Sequence, residues 1–119
     1  MPPETLKLLH DMQTAAQDIA DSSAGRTYEL FLLDKQLRMA IERAFEIVGQ
    51  ALTKLHKIDP STATSITDWR AIMGFRNVLI HGYAIVDPAK TWDIVQSELP
   101  TLRRKLDAPL NPLQPDSSH

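Results

Sequence analysis

The chain has 119 residues, with 13 Lys or Arg against 15 Asp or Glu for a formal net charge of −2, and 43% of it is hydrophobic. That length fits one domain whose core needs no covalent staple, and the lack of any cysteine removes disulfides, thiolate catalysis and Cys-based zinc sites. The acid excess argues against a protein that coats nucleic acid non-specifically; with no run near the ~20 apolar residues of a membrane span and no basic-then-apolar start, no membrane partner and a cytoplasmic location are expected. In chain order, Leu6, Leu9, Gln13, Ala16 and Ala20 keep the spacing of one helix face, flanked by Leu8, Met12, Ala15 and Ile19, until Gly25 closes the segment. A second helix carries two stripes. One is Leu33, Leu37, Ala40, Ala44, Ile47 and Ala51; the other is Ile41, Phe45, Val48, Leu52 and Leu55. That face is wider than one bundle groove requires, so cover from two sides is expected, by the bundle and by a second subunit. Asp59 to Ser65 has loop composition. A third helix starts at Thr67 or Asp68, runs through Trp69, Ile72, Met73, Leu79 and Ile80, and ends before Gly82. The fourth opens on Asp87-Pro88 and repeats Trp92, Val95, Leu99, Leu102 and Leu106, with a kink expected at Pro100. Pro109, Pro112 and Pro115 mark residues 107–119 as a mobile tail. The expectation is an all-α, up-and-down bundle of four main helices over residues 1–106, followed by that tail.

Chemistry is concentrated in Phe75-Arg76-Asn77-Val78-Leu79-Ile80-His81-Gly82-Tyr83. Asn77 and His81 are i and i+4, neighbours on one helix face. Arg76 is turned by ~100° from Asn77, within reach of that face for a long side chain. Gly82 lets the backbone leave abruptly, which would display His81 at a rim. A forked, permanent cation suits a phosphate, and imidazole moves protons near neutral pH. Together they suit phosphodiester cleavage without metal: His81 would take the proton of a ribose 2′-hydroxyl while Arg76 steadies charge growing on phosphorus. A helix C-terminus favours the imidazolium and a nearby arginine favours the neutral base, and the residues leave open which prevails. On composition alone, an Arg–His pair near a helix C-terminus is most often a surface pair or cap. The other candidates read more simply. His10 and His56 lack companion ligands and read as surface imidazoles; Glu42 and Glu46, with Arg43 and Lys54 nearby, read as a solvated or interface charge face; Trp69 and Trp92 read as core. Arg103-Arg104-Lys105 is a basic run that a helix end favours anyway. Arg70 is a candidate auxiliary contact to RNA phosphate. No metal site and no cofactor are expected.

Three pieces of the chain resemble the HepT-like group of HEPN-domain toxins. The first is Arg76-Asn-Val-Leu-Ile-His81-Gly-Tyr83, an Arg, four residues, His, one residue, Tyr pattern. The second is Ala40-Ile-Glu-Arg-Ala-Phe-Glu-Ile-Val-Gly-Gln-Ala51, similar to the family's second-helix signature, with Gln50 where many members carry Glu. The third is Trp69-Arg-Ala-Ile-Met-Gly74 before the motif, with the Asp87–Leu106 helix and its Leu99-Pro100 step after it. The resemblance spans roughly residues 5 to 106. It implies a HEPN-like bundle acting as a metal-independent endoribonuclease toxin of a bacterial toxin–antitoxin module, with tRNA or mRNA as substrate. It also implies a homodimer that brings two motifs together, Arg76 and His81 as the catalytic pair, and Asn77 in support. The implied antitoxin is a minimal nucleotidyltransferase that silences the toxin by adenylylating Tyr83, where added charge and bulk would block an RNA cleft. The alternative is a non-catalytic HEPN subunit that binds or positions substrate for the nucleotidyltransferase. A third possibility is a plain four-helix scaffold.

Overall fold

The computed structural model describes residues 2–66, 69–81 and 86–110, with side chains up to Asp107. Its elements are α1 (Pro3–Ser23), α2 (Tyr28–Leu33), α3 (Lys35–Ile58), α4 (Pro60–Thr64), α5 (Trp69–His81) and α6 (Pro88–Leu110). Among the described residues the fold is all-α, and the four long helices expected from sequence are α1, α3, α5 and α6.

Each boundary has a local cause. Gly25 takes φ +71°, the left-handed region that lets the chain turn after α1. Thr27 caps α2 by accepting from the Leu30 N–H at 3.2 Å, and Asp34 caps α3 by accepting from Leu37 at 3.0 Å. The Arg38 guanidinium reaches back to the last carbonyls of α2, donating to Phe31 at 3.0 Å and also to Leu32. The Asp87 carboxylate accepts from the Ala89 N–H at 3.0 Å, with Pro88 opening α6 as the sequence predicts.

Two short helices are additions to the expected four. The stretch from Asp59 reads as loop, yet Pro60–Thr64 is helical because Asp59-Pro60 repeats the start signal of Asp87-Pro88. Asp59 accepts from the Thr62 N–H at 3.3 Å and the Thr62 hydroxyl at 2.7 Å. The hydroxyl of Thr5, fully buried in the first turn of α1, also donates to it at 3.3 Å. One carboxylate thus ties α1 to the α3–α4 joint.

Helix α3 is the centre of the bundle. It packs against α1 on one flank and α5 on the other, while α6 lies on α1 and touches α2. The core joins Leu9, Met12, Ala16 and Ile19 of α1 to Ile41, Val48, Leu52 and Leu55 of α3 and to Val95, Leu99, Leu102 and Leu106 of α6. The stripe from Ile41 to Leu55 is buried within the chain, whereas the other is covered only in part: Leu37, Ala44 and Ala51 are buried, Ile47 is half-buried, and Ala40 and Leu33, which belongs to α2, are exposed. Among the described residues, exposed large apolar side chains gather at Leu30, Leu32, Leu33 and Met39 around the α2–α3 joint and at Val78 and Ile80 on α5, with Leu6 and Ile58 apart from them.

Helix α6 continues through the solvent-exposed Pro100 to Leu110, so the boundary drawn at residue 106 falls inside it. Leu106 is fully buried, and Asp107 accepts from Gln13 Nε2 of α1 at 2.8 Å, which holds this last stretch on the bundle. Thr67, Asp68, Gly82 and Tyr83 lie outside the described residues, as does 111–119.

Candidate active site

Helix α5 carries Arg70, Arg76, Asn77 and His81. Its core side is set by Ile72 and Phe75, both buried, with Leu79 half-buried beside them. At ~100° per residue, Arg70, Gly74, Asn77 and His81 fall within about 60° of one another, opposite that core side. All four are exposed, so they form a solvent-facing stripe that ends at the helix C-terminus.

Arg76 is not on the stripe. Five residues before His81, it is turned from it by ~140°. It is half-buried, and its stem lies against Gly49 of α3. A methyl group added at Gly49 would sit 2.5 Å from Arg76 Cγ and closer still to Cβ, inside any tolerated contact. Arg76 Nε is enclosed and has no hydrogen-bond acceptor. Leaving a donor unpaired in such a place costs about 1–3 kcal/mol, so the seat is held by packing. The outer end turns back toward the stripe, where Nη1 lies 3.5 Å from Asn77 Oδ1. Asn77 is therefore the link between the anchored arginine and the face that holds His81.

Arg70 stands at the other end of the stripe, with Cζ 5.1 Å from the centroid of the Trp69 ring. His56 of α3 also stacks on Trp69, with ring centroids 4.8 Å apart and an interplanar angle of 23°. His56 is thus half-buried and engaged instead of a simple surface imidazole, whereas His10 is exposed. Trp69 joins the core edge as expected, and Trp92 lies 5.0 Å from Phe31. From Trp69 to Val86 the sequence holds no acidic residue, so α5 is a cationic element in a chain of net charge −2. Among the described residues no three His, Asp or Glu side chains cluster to hold a metal ion.

One acidic position on α3, away from this stripe, is perturbed. Burial raises the pKa of Glu42, opposed by Arg38 and reinforced by Glu46. Arg43 lies 3.9 Å from Glu46, so this is a charge face, as the sequence implies. Gln50 is exposed and lines a shallow groove of about 420 Å³ between α1 and α3, with His10, Asp18 and Lys54.

Residues 12–108, which include all of α3, α4 and α5, match the family described as ribonuclease HepT-like. The chain belongs to the HepT-like ribonuclease family. A Thermococcus cleftensis protein named a probable ribonuclease HepT is 31% identical over 99 residues, covering 83% of this chain and 89% of that protein. A Methanocaldococcus jannaschii protein named a putative RNase is 29% identical over 99 residues, covering 83% and 90%. Another so named, from Caldanaerobacter subterraneus subsp. tengcongensis, is 33% identical over 82 residues, covering 69% and 72%. No solved structure matches. This HepT-like chain is a ribonuclease, and its all-α bundle is HEPN-like. No described helix is long and apolar enough to cross a membrane.

Within this HepT-like fold, the residue that motif reasoning passes over is Gly49. Its signal in the sequence is a lone glycine inside a long helical pattern, which disfavours the helix by roughly 1 kcal/mol relative to alanine and so calls for a packing reason.

Proposed function

We propose that this HepT-like ribonuclease is a metal-independent endoribonuclease toxin of a bacterial toxin–antitoxin module, acting as a homodimer with Arg76 and His81 as its catalytic pair. The observation that carries the reading is the division of labour on α5. A permanent cation is wedged against α3 with its outer end drawn toward Asn77, and an exposed imidazole ends the same helix. His81 accepts the 2′-hydroxyl proton of the RNA, the 2′-oxygen attacks the adjacent phosphorus, and the 5′-oxygen leaves carrying a proton from a general acid. Arg76 stabilises the charge that builds on the non-bridging oxygens. The ~140° between the two residues on one helix supports a dimer, in which the imidazole of one copy and the guanidinium of the other can face one phosphate across a shared cleft. Arg70, fixed over Trp69 on the stripe, serves as an auxiliary phosphate contact. The antitoxin is a minimal nucleotidyltransferase that adenylylates Tyr83, two residues beyond His81.

Expression of the wild-type chain alone should arrest growth, and either Arg76→Ala or His81→Ala should relieve the arrest. Two variants as toxic as the parent would overturn the catalytic assignment. Cleavage of bulk tRNA or total RNA should persist in EDTA. Incubation with the partner and ATP should add adenylyl mass to the wild type and none to Tyr83→Phe; no gain on the wild type would remove the regulatory role and leave the nuclease claim standing.

A further inference from the structure

Gly49 lies near the middle of the 24-residue helix α3, where glycine is the least suitable residue short of proline. Its φ is not positive and it terminates nothing, so backbone freedom does not explain it. Space does. It is buried, and the atoms that would meet a Cβ there are Cβ, Cγ and Cδ of Arg76, the last at 3.4 Å. We propose that Gly49 is a positioning residue for Arg76: the missing side chain is the slot that fixes the arginine's stem. The inference rests on the reading of Arg76 as the phosphate-facing cation, and it adds to that reading a determinant on a different helix.

The physical argument turns on which atoms would collide. Had the obstacle been the far end of a flexible arginine, a methyl group would only rotate it aside. Cβ, the nearest of the three, is instead fixed by the α5 backbone and no side-chain rotation moves it, so relief requires about 1 Å of movement to regain an ordinary carbon–carbon distance. Either α5 lifts from α3 or it turns about its axis, carrying the stem out of its slot. α5 is the helix that yields, because Ile72 and Phe75 are its only fully buried side chains among the described residues, against nine buried positions on α3. In both cases the enclosed Nε leaves its seat and the long contact to Asn77 is broken. A misplacement of about 1 Å costs on the order of a hundredfold in rate when the group must meet a transition state.

The test compares Gly49→Ala with Leu102→Ala, which removes a buried side chain of α6, a helix that packs on α1 and α2. Circular dichroism checks the fold, and cleavage of a 5′-labelled, mixed-sequence RNA pool gives kcat and KM. Gly49→Ala should lower kcat by about tenfold to a hundredfold with KM changed less than about threefold, while Leu102→Ala cleaves nearly as well as wild type. A Gly49→Ala protein that is folded and within about threefold of Leu102→Ala would overturn the proposal. Should Gly49→Ala fail to fold, adding Arg76→Gly deletes the colliding atoms. Recovery of the fold in that double variant supports the slot, and its absence overturns it. Arg76→Ala separates this claim from the one beneath it. If Arg76→Ala cleaves like wild type, the catalytic reading of Arg76 fails and takes the slot's purpose with it. If Arg76→Ala is inactive and Gly49→Ala is not impaired, only the positioning role fails.

Discussion

Replacing Phe75 with alanine should release α5 from a bundle that otherwise stays folded. Phe75 is 5% exposed and meets Phe45 of α3 edge-on, with ring centroids 5.3 Å apart and an interplanar angle of 83°. Truncating a buried phenylalanine costs about 3–5 kcal/mol, including about 0.5–1.5 kcal/mol from such an aromatic pair. A chain of this size has about 5–15 kcal/mol in total. The loss does not spread evenly, because α5 packs chiefly on α3 and contributes only Ile72 besides Phe75 to the buried core. The easiest response is local opening of residues 69–81, while α1, α3 and α6 keep their shared core. With ~1.4 kcal/mol per factor of ten, amide protection in α5 should fall by roughly two to three and a half powers of ten. Hydrogen exchange followed by mass spectrometry reads this directly. Leu102→Ala serves as the comparison, since a loss of about 2–5 kcal/mol at that site should weaken α1 and α6 without singling out α5. RNA cleavage should drop with α5 protection in the first variant. Uniform loss of protection across all helices in Phe75→Ala would refute the argument that α5 is a separable, weakly docked element.

Two pH-dependent predictions come from the carboxylates. Hydrogen bonding from the Thr62 hydroxyl, then its backbone N–H, Thr5 and Ser61, holds Asp59 below the usual carboxylate range against a smaller effect of burial. A lowered folded value gives stability that is present above the unfolded pKa near ~4 and is lost as pH falls through the folded value. Asp59→Ala should therefore lower the Tm at neutral pH by a margin that shrinks on acidification, and an unchanged margin at about pH 3 would contradict this. Glu42 behaves in the opposite sense: burial raises its pKa, so stability is lost as pH rises from the unfolded value near ~4.3 through the folded one. Glu42→Gln should raise the Tm at neutral pH and give no gain below about pH 4, and a lower Tm at neutral pH would be the wrong sign.

The long helices were readable because their apolar spacing runs for many turns and their caps are strong. The short ones were not. Six residues of α2 and five of α4 are too few to display a period, and the Ser and Thr around Asp59-Pro60 masked a start signal that was recognised at Asp87-Pro88. Both stripes are legible in the spacing, but an apolar period does not show that each of its positions is covered: Leu33 and Ala40 are exposed. Nor does the period say whether α5 of the same chain or another molecule covers a given position. The Arg76, Asn77 and His81 spacing was likewise visible, since helix geometry alone relates them. The seat of Arg76 was not. It depends on the register between α3 and α5, which are separated by an intervening helix and a turn, and periodicity carries no information about that register.

The acid excess of the whole chain and the chemistry proposed for it are reconciled by where the charges sit. No acid occurs between Trp69 and Val86, so in the proposed reaction Arg70 and Arg76 would face RNA without a carboxylate on their own helix to compete for them. The surplus of Asp and Glu lies on other elements, where it opposes broad attachment to a polyanion. Two arginines per chain are too few to hold RNA by charge alone, so each must be placed well to matter. Arg70 is placed by the Trp69 ring, itself stacked with His56, and Arg76 by the slot at Gly49. In both cases α3 supplies the support and α5 supplies the cation. On the proposed reading, precision at a few phosphates takes the place of net positive charge.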